Sequence, residues 1–312
     1  MRHWLPSRYI LSILGAFAVS GAVMAATAPN LQRGVSAFDN RDYAIALREL
    51  NPLAEHGDAK AQYFVGLMHE NGWGVKRSYE QAMAFFRKSA DQGNAQAQFS
   101  VGYFYANGLG VLRDYAQAAK FYRLAADAGL PGAQVDLGQM YSKGDGVAKD
   151  EAEAVKLYRK AAEQGDPRGA FNLGHKYAMG EGVGQDYAEA MKWYRKAADA
   201  GVVGAQVDLA LLYEEGKGVS KNYTEAFKLF EKAAAQGNAI AQGFLGVKYG
   251  FGQGVEQNTR LGYIWATLAA NDGDRKATAL RDYLEKDMAP AEIAAAKKAA
   301  EVCKVSKFQN CR

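Results

Sequence analysis

Three columns of side chains recur along this chain at a spacing that places them on one stripe of a helix, and they are the residues best able to do chemistry. One reads Phe64, Ser100, Asp136, Asn172, Asp208, Phe244; the next Leu67, Tyr103, Gln139, His175, Leu211, Val247; the third Asn71, Asn107, Lys143, Met179, Glu215, Phe251. Offsets of three and four residues put the members of each set on one side of a helix. Carboxylates, amides, an imidazole and a phenol suit hydrogen-bonded recognition of a polar ligand. The ends of the series are apolar, and exposed apolar clusters mark interaction sites. Hydrolytic or phosphoryl chemistry has no such support. The chain contains no Gly-x-Ser-x-Gly, His-Glu-x-x-His or P-loop pattern, the spacings that assemble a nucleophile, a zinc site or a phosphate cradle. No histidine lies near Cys303 and Cys311, so no metal site and no cofactor are predicted.

Those columns exist because the chain repeats. Gly57, Gly93, Gly129, Gly165, Gly201, Gly237 and Gly273 stand 36 residues apart. A fixed period of that size marks a stacked array whose units are each too small to bury their own apolar face. Further columns run at the same period from Gly72 to Gly252, from Gly74 to Gly254 and from Val75 to Val255. Six full units cover 59–274. Residues 26–58 form an N-terminal capping half-unit, in which Tyr43, Ala46, Leu50, Ala54 and Gly57 match the second half of the unit that ends at Gly93.

Each unit reads as two helices. Ser78, Asp114, Asp150, Asp186, Asn222 and Asn258 share an N-cap column before the second helix. Gln81, Gln117, Glu153, Glu189 and Glu225 follow three residues later, which predicts a reciprocal capping box in five units; Leu261 breaks the sixth. The 36-period glycine closes that helix. Asn94, Asp166, Asn238 and Asp274 suit the start of first helices, and Pro131 and Pro167 fit their first turn. Gly66, Gly102, Gly138, Gly174 and Gly246 fall inside the first helix, where each costs roughly 1 kcal/mol against alanine. That predicts a close helix crossing at each, with Ala210 the mildest exception. Aromatics at fixed registers, from Phe85-Phe86 to Leu229-Phe230 and from Tyr105 to Tyr249, read as core. The Gly-x-Gly loops read as structural turns, since a phosphate loop needs a Gly-Lys-Ser/Thr or a preceding strand.

With these columns in place, the pattern Ala-x-Ala-Gln-x-x-x-Gly…Tyr…Gly-x-Gly-Val…Asp-Tyr…Ala…Trp-Tyr-Arg-Lys-Ala-Ala-x-x-Gly resembles the Sel1-like repeat, a relative of the tetratricopeptide repeat. The stretch from Gly169 to Gly201, with Asp186-Tyr187 and Trp193-Tyr194-Arg195-Lys196-Ala197-Ala198, matches it best. The resemblance implies an all-α fold: a right-handed α-α superhelical solenoid of helix-turn-helix units, used as an adaptor or scaffold. By likeness to tetratricopeptide arrays, the variable stripe lines the concave face. Its partner-binding set is Phe64, Leu67, Tyr103, Asn107, Asp136, Gln139, Asn172, His175 and Asp208. Scaffold columns stay fixed while these vary, which marks either a surface shaped to a partner or drift on an unselected one.

The termini add a compartment and a cap. Arg2, His3 and Arg8 precede an apolar stretch, and Val23-Met24-Ala25 places small residues at a cleavage site. Residues 1–25 therefore read as a secretory signal peptide whose apolar core is too short to span a bilayer. The expectation is a mature chain from Ala26, periplasmic or secreted, with no membrane insertion after cleavage. In an exported protein, Cys303 and Cys311 read as a disulfide. It would pin the tail of a C-terminal helical cap, 275–312, broken at Ala289-Pro290. The formal net charge of +4 falls to +2 without Arg2 and Arg8, which provides no basic stripe for nucleic acid. The combined reading is an exported, non-enzymatic scaffold that binds a protein or peptide on the concave face. Two alternatives stand beside it. A cell-envelope enzyme acting on peptidoglycan would need a clustered acidic pair with a raised pKa in the groove. A glycan-binding module would need exposed aromatic platforms there, and Tyr103, Asp136, Asn172 and Asp208 supply a polar-aromatic mix.

Overall fold

A computed structural model describes residues 28–308 and 311. The predicted signal peptide and its cleavage point before Ala26 lie outside the described residues. The helices are α1 (Leu31–Asp39), α2 (Tyr43–Glu55), α3 (Ala59–Asn71), α4 (Tyr79–Asp91), α5 (Ala95–Asn107), α6 (Tyr115–Asp127), α7 (Pro131–Lys143) and α8 (Glu151–Glu163). They continue as α9 (Pro167–Met179), α10 (Tyr187–Asp199), α11 (Val203–Glu215), α12 (Tyr223–Ala234), α13 (Ala239–Phe251), α14 (Thr259–Asn271), α15 (Arg275–Leu284) and α16 (Pro290–Val305). No strand occurs among the described residues. From α1 to α15 each helix packs on the ones before and after it, so the chain is an all-α solenoid of helix pairs. The half-unit at the N-terminus is itself a pair, because α1 precedes α2.

Side-chain caps start the helices as the sequence predicts. Asp114 accepts from the Gln117 N–H and Asp150 from the Glu153 N–H, both at 3.0 Å, and Asn94, Asp166, Asn238 and Asp274 cap first helices. The reciprocal half of the capping box does not form. The N-cap N–H of Asp114, Asp150 and Asp186 donates instead to the carbonyl of Tyr105, Tyr141 and Tyr177 on the preceding helix, at 2.9–3.0 Å. The carbonyl ties the Gly-x-Gly loop shut and leaves the glutamate free. Glu153 and Glu189 then pair with Lys156 and Lys192 one turn on, each at 3.0 Å.

Four of the five helical glycines, Gly66, Gly102, Gly138 and Gly174, lie where a ring crosses, while Gly246 faces the Ala266 backbone and Leu280. A Cβ at Gly102, Gly138 or Gly174 would stand 2.7–2.8 Å from Tyr122, Tyr158 or Tyr194. These rings belong to the second helix of the same unit and are buried. In the fifth unit Ala210 and Phe230 fill the equivalent place, both fully buried. The junctions between units are clamped by buried glutamines. Gln62 donates to the Ala54 carbonyl at 3.0 Å, and Gln164 donates to Gln134 Oε1 at 2.9 Å. At Gln62, Gln134 and Gln206 the Ala-Gln pair therefore supplies a buried amide bonded at both ends, whereas Gln98 uses only its N–H and the Gln242 amide meets no partner among the described residues.

At the far end, α15 packs on α13 and α14, and α16 packs on α14. Leu280 and Leu284 approach Gly246 and Gly250. Cys303 and Cys311 form a disulfide, and Cys303 is fully buried. No helix among the described residues is long and apolar enough to cross a membrane.

Candidate functional site

The variable stripe is not one continuous surface. Phe64 packs edge-on against Phe38 of α1, ring centres 4.9 Å apart, so the N-terminal pair covers it. Leu67 is half-buried in the next core cluster. Phe244 stacks on Phe230 at 4.5 Å, while Phe251 stays 47% exposed. Asn172 is half-buried.

The remaining stripe residues gather into two pockets. Tyr103, Asn107, Asp136 and Gln139 line a pocket of about 340 Å³ between α5, α6 and α7, together with Tyr115, Tyr122, Lys143 and Asp145. His175 and Asp208 line a second, of about 380 Å³, between α9, α10 and α11, with Met179, Tyr187, Tyr194, Glu215 and Lys217. The two are built from equivalent positions two units apart: Tyr115 corresponds to Tyr187, Tyr122 to Tyr194, Asp136 to Asp208, Lys143 to Glu215 and Asp145 to Lys217. The rim charges are thus reversed between them.

Each pocket has a phenol on its floor and a carboxylate above. Burial pushes the Asp136 and Asp208 carboxyls above the usual range, with Arg168 and His175 respectively opposing the shift. Asp208 and the Tyr194 hydroxyl share a hydrogen bond. A buried phenol needs a partner for its O–H, and the column follows that need. Tyr122, Tyr158 and Tyr194 precede Asp136, Asn172 and Asp208, whereas Phe86 and Phe230 precede Ser100 and Phe244. Part of the polar trend in the middle units is therefore internal chemistry.

Between the two pockets the space is filled. Lys176, from α9, is buried and reaches Glu151 at 2.7 Å, Glu181 at 2.6 Å and Ser142 at 2.8 Å. Burial opposes its charge, but the two carboxylates outweigh that and hold its pKa above the usual range. Lys248, two units on, is 2% exposed. It pairs with Glu214 and Gln253 and lies 5.0 Å from the centre of the Tyr223 ring. These lysines replace Met68, Phe104, Met140 and Leu212 in one column, and that break in an apolar column was the signal for them. Tyr115, Tyr187, Asp145 and Lys217 gave no signal as site residues, because Asp-Tyr reads as a cap and Gly-x-Gly as a turn.

Among the described residues no group of histidine, cysteine, aspartate and glutamate is arranged to hold a metal ion. Asp136 and Asp208, the two stripe carboxylates that burial raises, line different pockets.

A family model described as Sel1 repeat matches residues 59–94, 95–130, 131–166, 167–202, 203–238 and 239–274. The solved structure of a Sel1 repeat protein from Oxalobacter formigenes is 31% identical, with a TM-score of 0.70, over 78% of this chain and 97% of that one. A second, c5321, described as a protective antigen present in uropathogenic Escherichia coli strains and displaying an SLR fold, is 29% identical with a TM-score of 0.59, over 89% of this chain and 68% of that one. Among curated proteins none matches.

Proposed function

The chain belongs to the Sel1-repeat family, whose members generally mediate protein–protein interaction, and on that premise we propose that it is an exported scaffold binding an extended peptide segment of a partner along the concave face. The observation that carries this is the pair of equivalent open pockets between α5 and α11, set two units apart on the stripe of the first helices. A rigid array holds such pockets in fixed register, so little ordering remains to oppose binding. Export is supported by the arrangement of residues 1–25 and by the disulfide between Cys303 and Cys311, a bond that persists in oxidising compartments. One relative is described as a protective antigen, which agrees with a place in or beyond the envelope.

The glycan-binding alternative gains one observation: Tyr103 and Tyr115 are 42% and 38% exposed in the first pocket. A photo-crosslinking residue separates the readings. Placed at Tyr103 or Met179 in cells that produce the chain, it should yield protein adducts, and placed at the exposed Leu124 of α6 it should not. Adducts confined to position 124 would move the site to the second helices. Polysaccharide adducts from position 103 would favour the glycan reading.

A further inference from the structure

We propose that the cleft between α13 and α15 receives a bulky apolar side chain of the partner segment, with a carboxylate of that segment meeting Arg275 and Lys276 at its mouth. This rests on the concave-face reading above and names the chemistry of one contact in it.

The cleft has a volume of about 500 Å³. Ile240, Gly243, Phe244 and Val247 line one wall, and Ala277 and Leu280 the other. Its origin is a missing side chain. The equivalents of Gly243 in the earlier units are Tyr63, Phe99, Val135, Phe171 and Val207. Phe99 and Phe171 reach the next first helix, where a Cβ at Gly132 or Gly204 would stand 3.8 or 3.0 Å from the ring. Val135 and Val207 are buried, and at the place of those glycines they are followed by the longer Arg168 and Ile240. A large residue is thus matched with a small one, in either order. At the last junction Gly243 offers no side chain, and its counterpart Lys276 is exposed. The atoms nearest a Cβ at Gly243 belong to Asp274, Ala269 and Ala277, not to Lys276. The α14 side is closed, since a Cβ at Gly246 would stand 3.1 Å from the Ala266 backbone. The vacancy opens beside Ile240, which is 56% exposed.

The mouth of the cleft fixes the charge of what enters. Arg275 and Lys276 are exposed there, and neither side chain has an ion-pair partner among the described residues. Arg168, the equivalent of Lys276 three units earlier, has two carboxylates, Asp166 at 3.4 Å and Asp136 at 3.7 Å. At the last junction Phe244 takes the place of Asp136. Asp274, the equivalent of Asp166, caps α15 by accepting from the Lys276 and Ala277 N–H groups at 2.8 and 3.2 Å. That leaves two cations against one carboxylate at the edge of an apolar cleft. A partner carboxylate would stand to Lys276 as Asp136 stands to Arg168. Burying the apolar side chain supplies affinity, and the charges at the rim select the partner and set its register.

Refilling the cleft from within tests this. Gly243 lies inside α13, so Gly243→Val and Gly243→Phe each remove a glycine from a helix interior and restore a side chain that earlier units carry. Both variants should fold, with thermal melts as the control. The probe is a random twelve-residue peptide library selected on the purified folded chain. Selected peptides should share a bulky apolar residue beside an aspartate or glutamate, and replacing the apolar residue by alanine should weaken binding about tenfold. Gly243→Phe should weaken the parent peptides by a similar factor, and Gly243→Val by less. Arg275→Glu with Lys276→Glu should turn the selection from acidic to basic peptides. Selected peptides that are lost on Tyr103→Ala, yet indifferent to Gly243→Phe, overturn the cleft and leave the groove. Peptides lost on Gly243→Phe but unchanged when their acid becomes the amide overturn the carboxylate contact. A dimer of the parent chain in sedimentation that Gly243→Phe dissociates assigns the cleft to a second copy and overturns the peptide. Selected peptides indifferent to both positions, or no selected peptides at all, overturn the groove itself.

Discussion

Lys176 sets its ammonium 2.7 Å from Glu151 at the place where other units set a tyrosine against an apolar side chain. The equivalent pairs are Tyr79 with Phe104, Tyr115 with Met140 and Tyr187 with Leu212. Both members of the pair changed together, and a buried ion pair replaced an aromatic contact. Losing one partner leaves a buried charge unmatched, while replacing both with apolar groups is often neutral or better. Lys176→Met alone should therefore cost about 2–4 kcal/mol, and Lys176→Met with Glu151→Tyr should recover most of it. Denaturant unfolding of the two single variants and the double variant checks this through the coupling energy.

The scaffold was legible in the sequence because its causes repeat. N-caps, turn glycines and ring crossings recur every 36 residues, so chance agreement is small. The pockets were less legible, because they form between units. Asp145 and Tyr115 are 30 positions apart in sequence and meet only when units stack. Phe64 was misleading for the same reason. Its neighbour Phe38 lies in a helix that the repeat pattern does not announce.

The helix crossings give a sharper stability prediction. At Gly174 a Cβ would stand 2.8 Å from Tyr194, with the Ala190 carbonyl at 3.2 Å. Neither neighbour can withdraw without moving a helix. Gly174→Ala should cost about 1–3 kcal/mol through overpacking, even though alanine is the better helix former. A gain in midpoint denaturant concentration would contradict the crossing.

Titration of the pocket carboxylates has a definite sign. Burial raises the Asp208 pKa in the folded protein, so the folded state binds this proton more tightly than the unfolded one. Its contribution favours folding below the unfolded carboxylate range and is lost as pH rises through the folded pKa. Asp208→Asn keeps an acceptor for the Tyr194 hydroxyl and removes the charge. The variant should melt about 1–2 °C above the parent at pH 7 and at the same temperature as the parent in acid. Differential scanning calorimetry at the two pH values decides it.

The C-terminal cap should depend on its disulfide. Cys303 and Cys311 close a loop with a sequence separation of 8, which constrains the unfolded tail by roughly 2–3 kcal/mol. Changing both cysteines to serine should increase amide exchange in α16 first, because α16 rests on α14 alone among its larger contacts. Exchange that rises equally in α3 and α16 would show that the cap unfolds only with the whole array.

The groove should separate binding from stability. Asp136 and Asn172 are half-buried on successive first helices, at the positions equivalent to Asp208, which bonds the Tyr194 hydroxyl. Asp136→Ala with Asn172→Ala removes both polar groups, so a loss of stability within about 1 kcal/mol for each is expected. Gln139→Ala touches no such phenol and is exposed, so its melting temperature should stay at the parent value. If the first pocket is part of the partner surface, the double variant should weaken partner binding by about 1–3 kcal/mol, and Gln139→Ala should weaken it with no change in melting. Titration of one purified partner against the parent, the double variant and Gln139→Ala resolves the two effects. Full affinity in Gln139→Ala, with loss in the double variant matching its loss of stability, would mean that these polar side chains serve the tyrosines beneath them and not a partner.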